Sequence, residues 1–483
     1  MIHFRAIGRA VGRFLLLLAA SMLLPVAWGL SRGQSGVAPL VTGSVVTAVA
    51  GGGLILAFRR SARELSQRDA LMLTVLLWFC VAAFGALPFV LTPHFPTYTD
   101  AFFEAASGFT TTGATVLENV EVLPEPIQFW RCFSHWLGGL GIVLLVVAVL
   151  PLVGHGGMLL YRAEFSGAKS ERLKPRIAET ATALWRIYVV LSVAQYTALR
   201  LAGMNAFDAV CHTFATLGTG GFSSRAASVG GFESPLIEWI IVGFMLLAGI
   251  SFVQHYRLFM ERKPRAFFRD FEIRAYLLLA ALATAAVYAS LVWQSGFEPA
   301  RAIRAAAFQV VSIQTTTGFS TEDFELWAPL PHVILLGLMY IGGCTGSTAG
   351  GVKIARVVLL ARVVAREFKR MVERRGVFAV RLGGQAIPEP VIQSLLNLIY
   401  LALLVNAVGV VILAATGVDM LTAVASVVAC MFNIGPGFGL VGPSDHYGHL
   451  PAIAKWTLTT VMIAGRLEFY TLIVILTPAY WRR

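Results

Sequence analysis

The chain has 483 residues, of which 57% are hydrophobic and 13% charged, and its mean hydropathy is +0.74. These values lie far from those of water-soluble domains and mark an integral membrane protein. The net charge of +12 does not point to nucleic acid, because the basic residues are confined to alternate loops, the pattern by which membrane proteins record their orientation.

Ten apolar windows are long enough, at about 20 residues each, to cross a hydrocarbon core of about 30 Å as helices. They lie near 11–30, 37–58, 70–92, 131–153, 184–203, 236–254, 275–294, 330–347, 392–415 and 452–477. The alternating segments of about ten residues that a β-barrel would need are missing. Of the 38 Lys and Arg residues, 29 fall at Arg5, Arg9 and Arg13 at the start, in 59–68, 155–182, 257–274 and 353–381, and at the C-terminus. The positive-inside bias therefore places both termini and these loops in the cytoplasm.

Segment 1–68 holds the first two windows. Its start, MIHFRAIGRAVGRFLLLLAASML, also fits a cleavable secretory signal; a retained span is preferred, since a second apolar window and then RRSARELSQR follow on the side that Arg5, Arg9 and Arg13 predict. From residue 69 onward a unit repeats. In 69–160, DAFFEAASGFTTTG places Asp100 thirteen residues before Gly113, and in 161–265, DAVCHTFATLGTGG places Asp208 thirteen before Gly221. A third copy, RAAAFQVVSIQTTTG in 266–385, ends at Gly318, and a fourth, TAVASVVACMFNIG in 386–483, ends at Gly435 or, with a shifted alignment, at Gly437.

The apolar run before each turn is about ten to twelve residues, about 15–18 Å as helix, which is too short to span. Each unit therefore reads as span, re-entrant half-helix, Thr/Gly turn and span. Asp100 and Asp208 fit as helix N-caps. Non-helical backbone at membrane depth is tolerable only when buried in protein or lining a watery cavity, and four turns on one axis supply that cavity. Glycine lets successive carbonyls face the axis, threonine adds a hydroxyl without bulk, and such carbonyls can replace a cation's hydration shell. The candidate filter residues are Thr111, Thr112 and Gly113; Thr219, Gly220 and Gly221; Thr316, Thr317 and Gly318; and Ile434, Gly435 and Pro436. The fold class is thus all-α integral membrane: about ten transmembrane helices, two of them N-terminal, and four re-entrant half-helices with pseudo-fourfold symmetry around one pore.

TTTGAT, TGGFS, QTTTGFST and NIGPGFG in this order, with KPRIAET at Lys174–Thr180 and GCTGSTAGGVK at Gly343–Lys353, resemble TrkH/KtrB-type potassium transporters of the TrkH branch over essentially the whole chain. The resemblance implies K⁺ as the transported ion, with Rb⁺ possible and Na⁺ carried less well, a homodimer with one pore per protomer, a bacterial inner-membrane location, and a cytosolic nucleotide-binding regulatory ring of the TrkA type. Glycine at position 113, where serine goes with Na⁺ tolerance in this family, implies K⁺. The alternative within the superfamily is a Na⁺-permeable or ion-coupled K⁺/Na⁺ symporter. With one glycine per turn, selectivity is expected to be weaker than in K⁺ channels. No covalent cofactor is expected.

The resemblance makes segment 343–353 an intramembrane gate below the filter, carried by Gly343, Thr345, Gly346, Ser347, Thr348, Gly350, Gly351 and Lys353; the residues alone also allow a small-residue packing patch. It is not a phosphate-binding loop, lacking the GK[ST] ending. Arg466, inside a long apolar window, needs a partner or a watery cavity: either a carboxylate such as Glu468 or Glu104, or, as the resemblance implies, a place beneath the filter as a barrier to cations. The segment ARVVAREFKRMVERRG, with Arg366, Lys369, Arg370, Arg374 and Arg375, and Arg356 just before it, is expected to be a helix that docks the partner or binds anionic membrane lipid. The five cysteines show no metal spacing, His135, His212 and His255 read as packing residues, and no nucleophile with a base is present, so the chain is not read as an enzyme.

Overall fold

The structure, a computed structural model, describes residues 2–59, 65–148, 177–374 and 376–482. Most of the basic segment 155–182, including Lys174–Arg176 of KPRIAET, and Arg375 lie outside the described residues. Chain that must satisfy its own backbone in lipid becomes helix, and most of the described chain is helical. Phe4–Ser21 and Leu23–Ser31 pack on Val37–Ala57. Gly12 and Gly51 face each other there, since a Cβ on either would lie 2.7 or 2.8 Å from the other's carbonyl oxygen; small residues let two membrane helices approach this closely.

The longer helices that follow are Gln67–Gly85, Glu125–Ala148, Ile177–Leu201, Phe271–Trp293 and Glu389–Ala415. Among the described residues five helices are long and apolar enough to cross a membrane alone, and two bent pairs would make seven. The pairs are Pro235–Ala248 with Phe252–Phe259, bent by 99°, and Ala452–Arg466 with Tyr470–Leu476, bent by 113°. Window 330–347 departs most from expectation. Its helix, Pro329–Met339, has only 11 residues, and irregular chain follows until Ile354–Val372 begins. One small element was not foreseen, a hairpin pairing Arg381–Leu382 with Gln385–Ala386, turned by Gly383 and Gly384 at φ 55° and 87°, the backbone that glycine supplies to a two-residue hairpin turn.

Four shorter helices, Tyr98–Phe109, Ala206–Leu217, Pro299–Gln314 and Met420–Met431, lie deep in the protein. Asp100 and Asp208 do not cap the first two. Thr97 and Asn205 do, accepting from the N–H groups of Asp100 and Asp208, while the carboxylates receive the Thr97 hydroxyl at 2.7 Å and the Asn205 amide at 2.6 Å. The carboxylates sit in the first turn, where the helix dipole favours negative charge, and each is also bound from outside its helix, Asp100 by Lys455 at 2.6 Å and Asp208 by Arg225 at 2.9 Å.

A fully buried ion pair ties the first two units together. Glu104, on the first short helix, accepts from Arg131 Nε at 2.6 Å, from the Thr115 hydroxyl at 2.9 Å and from the Val116 N–H at 2.9 Å. Arg131 also donates to the Ser223 carbonyl at 3.1 Å and lies 3.6 Å over the Phe222 ring. Removing one partner of such a pair strands a buried charge, so Arg131→Met is expected to cost about 3–5 kcal/mol. Glu104→Gln combined with Arg131→Met should cost clearly less, and thermal unfolding of the single and double variants in detergent measures the difference.

Candidate functional site

The four short helices end alike. The N–H of Thr112 bonds the Ser107 carbonyl at 2.8 Å, that of Gly220 bonds Ala215 at 2.8 Å, that of Thr317 bonds Ser312 at 2.8 Å, and that of Ile434 bonds Ala429 at 2.9 Å. The preceding residue of each, Thr111, Thr219, Thr316 and Asn433, is left-handed, with φ of 55°, 53°, 54° and 56°. This six-to-one closure is the Schellman motif, normally built on glycine or asparagine. A threonine there costs about 1–2 kcal/mol, strain of a kind that clusters at functional sites.

Two residues further on, Gly113, Gly221, Gly318 and Gly435 are left-handed again, with φ of 84°, 78°, 80° and 99°. That settles the register of the fourth turn on Asn433 and Gly435, since Gly437 is not left-handed. The turns meet in cyclic order. A Cβ on Gly113 would lie 2.1 Å from the Gly220 oxygen, on Gly221 2.1 Å from that of Thr317, on Gly318 1.8 Å from that of Ile434, and on Gly435 2.7 Å from that of Thr112. The ring Cδ of Pro436 would stand 2.9 Å from the Cβ on Gly318. A serine at position 113 therefore cannot be a purely local change, because it would displace backbone in two turns.

The carbonyls of Thr111, Thr219, Thr316 and Asn433, and those of Thr112, Gly220, Thr317 and Ile434, accept no hydrogen bond from any described residue. Buried carbonyls are nearly always paired, so two tiers of them left open around one ring form a site for something that is not protein. The Thr111 hydroxyl is likewise buried without a partner. Behind the ring, His135 stacks on Phe222 at 4.1 Å and His212 holds the Ser223 hydroxyl at 2.9 Å. They brace the second turn, and no group of three potential metal ligands exists among the described residues.

Segment 343–353 lies against these turns and is firmly held. The Gly350 N–H donates to the Thr316 hydroxyl at 2.6 Å, and the Cys344 N–H and Gly346 carbonyl bond Gly249 and Phe252 at 2.8 and 3.0 Å, across the bend between Pro235–Ala248 and Phe252–Phe259. Glu272 accepts from the Thr345 N–H and hydroxyl at 2.7 and 2.9 Å and from the Ala355 N–H at 3.1 Å, and Lys353 donates to the Ala349 carbonyl. The Ser347 hydroxyl turns back onto the Cys344 carbonyl at 2.6 Å, and that of Thr348 reaches Ala248 at 3.3 Å. Gly346 and Gly351 are left-handed, with φ of 76° and 68°. Gly343 is there because a Cβ would meet the Gly249 oxygen at 2.7 Å.

Arg466 has no carboxylate partner among the described residues: Glu104 belongs to Arg131, and Glu468 pairs with Arg356 at 2.8 Å. Its guanidinium donates to the Thr348 carbonyl at 2.9 Å and weakly to Gly138 at 3.4 Å, while its Nε has no partner. It thus joins the last broken helix to the loop. On Ile354–Val372, Arg356 and Arg366 are buried. Arg366 binds Glu389 at 2.7 Å, so these two guanidinium groups are structural, while Lys369, Arg370 and Arg374 remain exposed.

Apolar helices enclosing a ring of open backbone carbonyls define a membrane transport protein. The chain belongs to the TrkH family: residues 38–483 match the family described as TrkH, cation transport protein. It is 42% identical over 99% of its length to the full Trk system potassium uptake protein TrkH of Escherichia coli K12, and 41% to that of Vibrio parahaemolyticus. Trk system potassium uptake protein TrkG of Escherichia coli K12 is 34% identical. The crystal structure of the potassium transporter TrkH from Vibrio parahaemolyticus superposes over 100% of both chains with a TM-score of 0.91 at 40% identity.

The glycine contacts make a paired prediction. Gly318→Ala, left-handed and facing a carbonyl, should lower the melting temperature in detergent, whereas Gly52→Ala, inside a helix with nothing within 4 Å, should raise stability by about 0.5–1 kcal/mol.

Proposed function

We propose that this protein takes up potassium across the bacterial inner membrane through a channel-like pore whose selectivity filter is the ring of four Thr/Gly turns. The observation that carries this reading is the pair of open carbonyl tiers, Thr111, Thr219, Thr316 and Asn433 below Thr112, Gly220, Thr317 and Ile434. A desolvated K⁺ satisfies such groups as water satisfies the ion outside. The partial negative charge at the short helices' C-terminal ends adds to the field. On this reading the four units surround one pore as re-entrant repeats, both termini face the cytoplasm, and the chain works as a homodimer with a nucleotide-binding ring of the TrkA type. Segment 343–353 is the gate beneath the filter, and Arg466 serves both as a barrier charge and as the donor that holds the gate in place.

Purified protein in liposomes with an outward K⁺ gradient and no proton gradient should pass Rb⁺ tracer, and Na⁺ more slowly. Absence of Rb⁺ flux unless a proton or Na⁺ gradient is imposed would instead establish the coupled-symporter alternative.

Deleting 345–350 should raise basal K⁺ flux, and so should Arg466→Ala, which removes a charge-assisted bond of about 1.5–3 kcal/mol. Because Arg466 donates to Thr348, the two changes share one contact. Their combined effect on tracer flux should be less than additive.

Neutralising Arg370, Arg374 and Arg375 together should weaken binding of the regulatory ring in detergent, measured by co-elution. Undiminished co-elution, with weaker binding to anionic vesicles, would assign the charges to lipid.

A further inference from the structure

The glycine carbonyls at the outer edge of the four turns are not equivalent. Those of Gly113, Gly221 and Gly318 accept no hydrogen bond from any described residue, but that of Gly435 accepts from the Tyr447 hydroxyl at 2.7 Å. Tyr447 is 3% exposed, and its ring packs on Phe103 at 5.5 Å. Its own N–H donates to the Thr115 carbonyl at 2.7 Å, two residues past Gly113. One residue therefore grips the chain leaving the first turn with its backbone and the fourth turn with its side chain, where Gly435 closes against Thr112 and Gly113.

We propose that Tyr447 is a specificity-determining positioning residue: it engages the Gly435 carbonyl, so that the outer ring offers a cation three open glycine carbonyls. Selectivity and affinity at a carbonyl site follow the number and field strength of the dipoles free to face the ion. A carbonyl bound by a phenol can turn to a cation only by giving up that bond, and the buried phenol is then left with the Cys430 thiol, a weak hydrogen-bonding partner, beside it. The asymmetric ring makes the outermost cation site weaker than the tiers beneath it, which favours exchange with the outside solution. This inference rests on the turns being the ion path.

The test is Tyr447→Phe, which removes one oxygen and keeps the ring packing; Tyr447→Leu, which also lacks the hydroxyl, is the second variant. Two readouts apply, the half-saturating K⁺ concentration for tracer uptake in liposomes, and the K⁺-induced rise in melting temperature over each variant's own choline baseline, which separates ion binding from fold stability. The expected result is a several-fold fall in half-saturating K⁺, stronger discrimination against Na⁺, and a larger K⁺-induced shift in the variants. Unchanged or weakened K⁺ binding in variants that melt like the parent in choline would overturn the role of Tyr447, while a parent that responds to K⁺ keeps the ion-path reading. A parent with neither K⁺ flux nor a K⁺-induced shift would overturn the ion path itself.

Discussion

A carbonyl oxygen buried away from every donor is among the least tolerable groups in a protein interior, and this fold gathers eight of them, one from each of the Thr111, Thr219, Thr316, Asn433, Thr112, Gly220, Thr317 and Ile434 peptides. Much of the surrounding architecture holds them that way. The short helices end in closures that engage the amides of Thr112, Gly220, Thr317 and Ile434 with carbonyls one turn back, away from the ring. The close approach of adjacent turns leaves room only for glycine at positions 113, 221, 318 and 435. The Glu104–Arg131 pair, Phe222 with His135, and His212 with Ser223 brace the turns from behind with directional bonds, which resist the inward relaxation that hydrophobic packing alone would permit.

Much of this was legible in the sequence, and the limits have physical causes. The repeat was visible because a half-helix and a turn impose a fixed spacing, and Gly113, Gly221 and Gly318 could be identified because a left-handed backbone at a close approach has few other solutions. Left-handed Thr111, Thr219 and Thr316 were not visible, since a β-branched residue gives no signal for a conformation it disfavours; only Asn433, in the same place, carries one. Asp100 and Asp208 were misplaced by three positions because a carboxylate suits both the cap and the first turn, and the caps themselves are Thr97 and Asn205. The partner of Arg466 was out of reach of any local pattern, being a backbone carbonyl 118 residues away.

The glycine-rich stretch after Met339 shows how composition can suggest softness where the fold uses closeness. Five glycines within a dozen residues suggest a mobile chain, yet Gly342 is there because the Gly350 oxygen would stand 1.8 Å from a Cβ, and Gly350 because the Phe432 oxygen would stand 2.3 Å away. The segment is small so that it can be gripped from several sides at once. A loop held this way has a definite resting position and a definite set of bonds to break, the condition for switching between two states without sampling a continuum.

Carrying all four turns on a single chain has a further consequence, visible in the parts packed around them. An assembly of four identical subunits must repeat any plug, charge or tether four times around its axis, and four arginines at one level would be far harder to accommodate than one. Here the glycine-rich segment belongs to the third unit, Arg466 to the fourth, the Gly249 break that receives the loop to the second, and the Glu104–Arg131 brace begins in the first. Each quarter of the ring therefore carries its own part, and a change in one of these parts has no counterpart in the other three quarters.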